Sequence, residues 1–288
     1  MTSRERFLRT INGDMPDHIP VTYFIVDQGH FIAQMCPDIS PHNYDALHDN
    51  MIEMYRQMGG DILLRVCYGI NPMYIQYGGL NVHRDPLHYG FEEGCPNYIP
   101  PGETVRFVLS ENWEIEARCE IEEKSITHIS RISTPGGSLQ QRFTVTEVLP
   151  GTYLYGCTEK PVKTPADLKI AVAYEPGMDA DYPSLAKAKI QRLKQKIGND
   201  GIVSTWTPHG PFNIASLLVP EEELYSLFLL EPEFYRDLME FCIIRTKDYT
   251  SALSAAGVDA HSIGANVAGG FIGKKSFDEH ILKIKKKY

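Results

Sequence analysis

Residues 59–66, Gly59-Gly60-Asp61-Ile62-Leu63-Leu64-Arg65-Val66, decide how this chain is read. Upstream of them, Leu47, Met51, Met54 and Met58 fall at helical spacing, which predicts a helix over about Asn43–Met58. Glycine is the residue that favours the position just past a helix's last turn. Downstream, Ile62–Val66 is a short and nearly continuous apolar run. Such a run is how a strand buried on both faces reads. A helix that ends on glycine and passes straight into such a strand is half of a β/α repeat. Ile19-Pro20-Val21-Thr22-Tyr23-Phe24-Ile25-Val26 supplies the strand before it, so the chain opens β-α-β with parallel strands.

The same text recurs later. A helix over about Tyr182–Ile197 ends at Gly198, and Gly201-Ile202-Val203-Ser204-Thr205-Trp206 follows as a third buried strand. Helices begin at Thr164-Pro165-Ala166-Asp167, at Pro220 and at Pro232, each with acids in its first turn. Gly257 closes the last of these, and Val258-Asp259-Ala260-His261-Ser262-Ile263 reads as a fourth strand. Thr2–Leu8 reads as a short capped helix, and a final helix runs from about Ser276 into the lysine-rich end at Tyr288. Residues 69–158 break the rhythm. There Trp113–Glu120, Ser125–Ser130 and Arg142–Glu147 alternate like antiparallel strands, with Thr134-Pro135-Gly136-Gly137 as a turn. The expectation is one α/β domain over 1–288, a parallel β/α barrel or open sheet carrying a β-rich insertion at 69–158.

Composition narrows the function. The chain has 288 residues, 37 acids against 28 Lys and Arg, a net charge of −9 and 43 % hydrophobic residues; its mean hydropathy is −0.25. That is enough apolar material for a core, which excludes a disordered chain. An acidic surface repels phosphate, which argues against nucleic acid as a partner. No apolar run reaches the roughly 18 residues of a spanning helix, so no membrane insertion is expected. The six cysteines are scattered without a C-x-x-C pair and read as free thiols, and the N-terminus lacks an apolar signal core; both point to the cytoplasm.

In a parallel β/α scaffold the chemistry sits at the C-terminal ends of the strands. Past the first strand these ends carry Asp27, Gln28 and His30, with Tyr23 inside it. Arg65 and Cys67 end the second strand. Arg65 binds an anionic group if it points into the mouth and pairs with a helix acid if it points outward. Trp206 and His209 close the third strand, a wall for a flat substrate and an acid, base or ligand respectively. Asn266 lies past the fourth. His261 sits inside that strand and reads as a buried structural histidine. His83, His88 and Cys95 crowd one loop, but their spacing matches no closed zinc site. His209 and Asp27 are the catalytic candidates; Tyr23, Gln28, His30, Arg65, Cys67, Trp206 and Asn266 are the substrate-binding ones.

Several motifs in order resemble one family. They are Thr2-Ser3-Arg4-Glu5-Arg6-Phe7-Leu8 with Pro16-Asp17-His18-Ile19-Pro20-Val21, Ile132-Ser133-Thr134-Pro135-Gly136-Gly137-Ser138-Leu139, Glu159-Lys160-Pro161-Val162-Lys163-Thr164-Pro165-Ala166-Asp167-Leu168, Gly210-Pro211-Phe212 and Ala256-Gly257-Val258-Asp259. Together they resemble the uroporphyrinogen decarboxylase superfamily. The resemblance implies a (β/α)₈ barrel, apparently cut off here after about four β/α units. It also implies one of two activities: decarboxylation of uroporphyrinogen without a cofactor, or corrinoid-dependent methyl transfer. The decarboxylases carry an Arg-Gln-Ala-Gly-Arg run after the first strand; Val26-Asp27-Gln28-Gly29-His30 stands in its place. They also place an aspartate after the second strand, where Arg65-Val66-Cys67-Tyr68 stands. Both departures favour the methyltransferase branch. That branch implies a small methyl donor or acceptor, a corrinoid on a partner protein, and in many members zinc on a His-x-Cys pair and a distant Cys. This chain has no His-x-Cys, so such ligands are expected beyond Tyr288. The alternatives are uroporphyrinogen decarboxylase and a non-catalytic half-barrel, the latter completed as a homodimer.

Overall fold

The structure is a computed structural model, and it describes residues 1–23, 25, 39, 43–66, 99–100, 102–149, 152–178, 180–206, 210–262 and 273–282. The chain divides into two compact units, Met1–Asn71 with Ala180–Thr207 and Tyr249–Ile263, and Pro72–Asp179 with Pro208–Asp248 and Gly264–Tyr288.

The first unit holds the parallel sheet. Helix α1 (Ser3–Asn12) starts with a reciprocal cap, in which Glu5 N–H donates to Thr2 Oγ1 and Thr2 N–H donates to the Glu5 carboxylate. Helix α2 (Tyr44–Met58) is capped by Asn43, ends at Gly59 with φ 71°, and buries Leu47, His48, Met51, Ile52 and Tyr55. Strand β1 (Ile62–Val66) follows and pairs in parallel with β7 (Gly201–Trp206), which pairs in parallel with β8 (Ala260–Ser262). Gly201 is demanded by this pairing, because a Cβ there would sit 2.0 Å from the Ile62 carbonyl oxygen. Helix α4 (Tyr182–Ile197) covers the sheet with Ala186, Ile190 and Leu193.

The run at Ile19–Val26 does not form the expected strand over its described residues. Asp61 N–H donates to Val21 O at 2.8 Å, and Tyr55 Oη lies 2.7 Å from Tyr23 O and 3.1 Å from Leu63 O. The segment therefore runs beside β1 without a ladder. Pro20 contributes to this, since it has no N–H to donate.

Salt bridges close the N-terminal end of the sheet. Asp61 precedes β1, accepts Val21 N–H at 2.9 Å and pairs with Arg6 at 2.5 Å. Asp259 precedes β8, accepts Val203 N–H at 3.0 Å, is forked by Arg4 at 2.5 and 2.9 Å, and takes Lys194 at 2.7 Å. Burial alone would raise the Asp259 carboxyl; Arg4, Lys194 and the Val203 N–H bring it below the usual aspartate value.

The second unit holds a five-stranded antiparallel meander: β2 (Thr104–Ser110), β3 (Trp113–Ile121), β4 (Ser125–Thr134), β5 (Gly137–Leu149) and β6 (Thr152–Glu159). One face packs Trp113, Ile115, Ile132, Leu139, Phe143 and Val145. The other carries ion pairs such as Arg118–Glu120 and Arg142–Glu120. Helix α3 (Pro165–Tyr174) packs on β5, and α5 (Pro211–Leu218) and α6 (Glu221–Leu230) follow. Helix α7 (Pro232–Ala256) contributes residues to both units. The helix expected from Ser276 is a single turn at Lys274–Ser276 widening into a π turn over Phe277–Leu282, with 283–288 outside the described residues.

Two predictions follow from these charges. Asp259→Ala removes the shared partner of Arg4 and Lys194 and is expected to cost about 3–5 kcal/mol, as losing one side of a buried pair does. Because the folded carboxyl titrates below the unfolded one, its stabilisation is complete above about pH 4 and lost as pH falls further. Denaturant melts at pH 7 and pH 3 should show a large gap between variant and wild type that shrinks in acid. Glu175 behaves oppositely. Burial pushes its carboxyl up to about 7 against the pull of Arg245. The folded state then keeps a proton that the unfolded state loses, so this group's contribution falls as pH rises from about 4.5 to 7. Glu175→Gln should melt increasingly above wild type across that window; a constant offset contradicts the assignment.

Candidate functional site

Alternation along the parallel strands separates two kinds of surface. On β1, Ile62, Leu64 and Val66 are fully buried, whereas Leu63 and Arg65 are half-buried. Register carries this division across the sheet, since paired residues of parallel strands share a face. Val66 pairs with Thr205 and Thr205 with His261. His261 lies under α7: Nε2 is 2.9 Å from Ser254 Oγ, and Nδ1 is 3.3 Å from Thr205 Oγ1. This is the helix-covered face. Burial lowers the His261 pKa, which keeps the ring neutral and suited to a structural hydrogen bond at each nitrogen. The ring is half-buried rather than buried as expected, with a hydroxyl within hydrogen-bond distance of each nitrogen.

The opposite face carries the polar row. Arg65 pairs with Ser204, and Ser204 Oγ lies 2.9 Å from Ser262 Oγ on the next strand. Ser204 is fully buried, while Arg65 and Ser262 are half-buried. Trp206 pairs with Ser262 in the backbone register. Register thus puts Arg65 on the side of β1 opposite Leu64 and Val66. Its charge acts on Tyr55, whose phenol burial nevertheless raises. The row sits toward the C-terminal ends of the strands, the end opposite the aspartates. The Ser204 hydroxyl also lies 3.5 Å from Thr205 O, so the two serines are tied into the sheet.

Tyr23 is placed differently from expectation. Its hydroxyl donates to Met58 O at 3.1 Å and its ring packs against Gly60, at the turn that leads into β1. It anchors the end of α2 rather than lining the row. Asp27, Gln28, His30, Cys67, His209 and Asn266 lie outside the described residues, as do His83, His88 and Cys95.

The antiparallel sheet adds a pair that sequence spacing did not flag. Cys119 faces His128 across β3 and β4, with Sγ 3.2 Å from Nδ1. Burial pushes the Cys119 thiol up to about 11, so at neutral pH it is a thiol and not a thiolate, and the imidazole tautomer sets which of the two groups donates. Only the hairpin register brings the two residues together. Among the described residues no three His, Cys, Asp or Glu side chains converge on a point that a metal could occupy.

Residues 156–288 match the family model for uroporphyrinogen decarboxylase. A solved structure, a methyltransferase from Methanosarcina mazei, has the same fold, with a TM-score of 0.58 at 13 % sequence identity. The match covers all of this chain and 66 % of that one, so the present sequence spans just under two thirds of the neighbour's length. No curated protein matches the chain. The family-model match over residues 156–288 takes in the last three of the motifs quoted above, and the shared fold spans the whole chain.

Proposed function

We propose that this protein is a methyltransferase that moves a methyl group between a small substrate and a corrinoid held by a partner protein, or onward to a thiol or pterin. The observation that carries the reading is the fold shared, over the whole of this chain, with a methyltransferase. The sequence adds a second support. A decarboxylase of this family must clamp a polyanionic tetrapyrrole, and Asp27-Gln28-Gly29-His30 contains no arginine with which to do so.

In this reading the substrate lies over the strand ends. The residues read from the sequence as binding the substrate are Gln28, His30, Arg65, Cys67, Trp206 and Asn266. His209, one residue before Gly210 and the start of α5, serves as acid or base with Asp27. When bound, the corrinoid supplies the nucleophilic cobalt that accepts or returns the methyl group. The chain's own task is to orient the methyl-bearing atom and to move a proton to or from the leaving or attacking heteroatom. Methyl transfer onto a thiol by way of zinc would require ligands other than a His-x-Cys pair within this chain, which has none.

The test is direct. The protein is incubated with cob(I)alamin and a panel of small O-, N- and S-methyl compounds, and methylcobalamin formation is followed by its absorption spectrum. Turnover with at least one donor is expected. His209→Ala should slow it by about 10²–10⁴-fold, the range of a general acid or base. Decarboxylation of uroporphyrinogen with no methyl transfer would replace this reading with the family's other activity.

A further inference from the structure

Ser254, His261 and Thr205 form one chain of hydrogen bonds that runs from the surface into the first unit. Ser254 is an exposed residue of α7, His261 is half-buried on β8, and Thr205 is fully buried on β7. Ser254 Oγ lies 2.9 Å from His261 Nε2, and His261 Nδ1 lies 3.3 Å from Thr205 Oγ1. The backbone fixes this approach from both sides. Gly257 takes φ 91° just past α7, Gly257 N–H donates to Ser254 O at 3.0 Å, and Val258 N–H donates to Leu253 O at 3.3 Å. This tight return brings β8 back under the last turn of the helix. The Asp259 carboxylate pins the start of the strand by accepting Val203 N–H, and the parallel ladder sets Thr205 against His261. A hydroxyl at one ring nitrogen, with the other nitrogen held by a third group, is the arrangement that activates a serine nucleophile. Threonine accepts from or donates to Nδ1 equally well. The tautomer that turns the Nε2 lone pair toward Ser254 is therefore hydrogen-bonded at both nitrogens. Burial lowers the His261 pKa, so the ring is unprotonated at neutral pH. The exposed neighbours of Ser254 along the helix, Ser251 and Ala255, are small and leave a reagent room to approach.

We infer that Ser254 is an acylation site: its hydroxyl takes the acyl group of an activated ester or thioester, with His261 as general base and Thr205 positioning the ring. Ser254 Oγ attacks the carbonyl carbon of the donor while its proton passes to His261 Nε2. The tetrahedral adduct then expels an alkoxide or thiolate, which takes that proton from the imidazolium. One O–C bond forms, one C–O or C–S bond breaks, and nothing is oxidised or reduced. The product is an O-acylserine, which no longer has the proton that Ser254 shares with His261. The site lies apart from the strand ends where the methyl-transfer reading puts its substrate, and it does not depend on that reading.

The probe is p-nitrophenyl acetate, incubated with the full 288-residue protein at neutral pH, and the acetylated residues are located and timed by peptide mass mapping. Ser251, exposed one turn earlier on the same helix, is the internal reference. Ser254 is expected to acetylate about 10²-fold faster than Ser251, the lower end of what a general base contributes. His261→Gln should bring Ser254 down to the rate of Ser251. Thr205→Val should slow Ser254 by about threefold or more, as loss of one neutral hydrogen bond does, and Thr205→Ser should restore the rate. Equal rates at Ser254 and Ser251 in the wild type overturn the inference, and that comparison needs no variant to fold. A Ser254 rate unchanged in His261→Gln overturns it as well.

Discussion

Arg4 and Arg6, one turn of a short helix at the start of the chain, hold two buried aspartates on which the parallel sheet depends. Asp259 is 255 positions from Arg4 and Asp61 is 55 positions from Arg6. Each aspartate stands just before a strand and accepts a backbone N–H from the neighbouring segment, Val203 for one and Val21 for the other. Each carboxylate therefore sets the register between two neighbouring segments while its charge is met by an arginine of α1. A carboxylate buried in this way is costly alone and stabilising when fully hydrogen-bonded and paired. The Thr2–Leu8 and Ala256–Asp259 motifs are thus two halves of one clamp. Their place at the N-terminal ends of the strands makes them determinants of stability, and leaves the C-terminal ends for chemistry.

The same sheet sorts its polar groups by face. Thr205, His261 and Ser254 use their polar atoms among themselves beneath α7, and burial keeps the histidine neutral. Arg65, Ser204 and Ser262 turn the other way. Polar groups are expensive inside a sheet unless they are satisfied by each other or by a ligand. The first set is satisfied internally. In the second, Ser204 and Ser262 bond each other, and Arg65 and Ser262 are half-buried.

Much of this was legible in the sequence where the signal was local. Thr164-Pro165-Ala166-Asp167 predicted a capped helix start, and Asp167 indeed completes the cap with Thr164. Gly59, Gly198 and Gly257 marked helix ends correctly, because the left-handed turn there excludes most other residues. The strands at Trp113, Ser125 and Arg142 were found from their alternation. Those at Thr104–Ser110 and Thr152–Glu159 were not, since both lie at sheet edges and take their pairing from a single neighbour. The short helix Pro211–Leu218 was missed because it is buried on most sides, and an apolar run of that kind has no amphipathic period. Arg65 was recognised as a candidate but its direction was not, because one strand's alternation does not say which face is covered. Only the register to Ser204, and from Thr205 to His261, settles it. Ser204 and Ser262 gave a faint signal, hydroxyls inside apolar runs, that reads equally well as ordinary strand polarity. Cys119 and His128 gave none.

The account's central claim is that ligands meet this protein at the C-terminal ends of β1, β7 and β8, on the face that carries Arg65 and Ser262. Hydrogen–deuterium exchange with and without a small methyl donor that the protein turns over tests this most directly. The account predicts slowed exchange in peptides covering Ile62–Val66, Gly201–Trp206 and Ala260–Ser262. Unchanged exchange there, with protection instead at the groove of about 510 Å³ lined by Phe228, Tyr235, Met239 and His280, would contradict it.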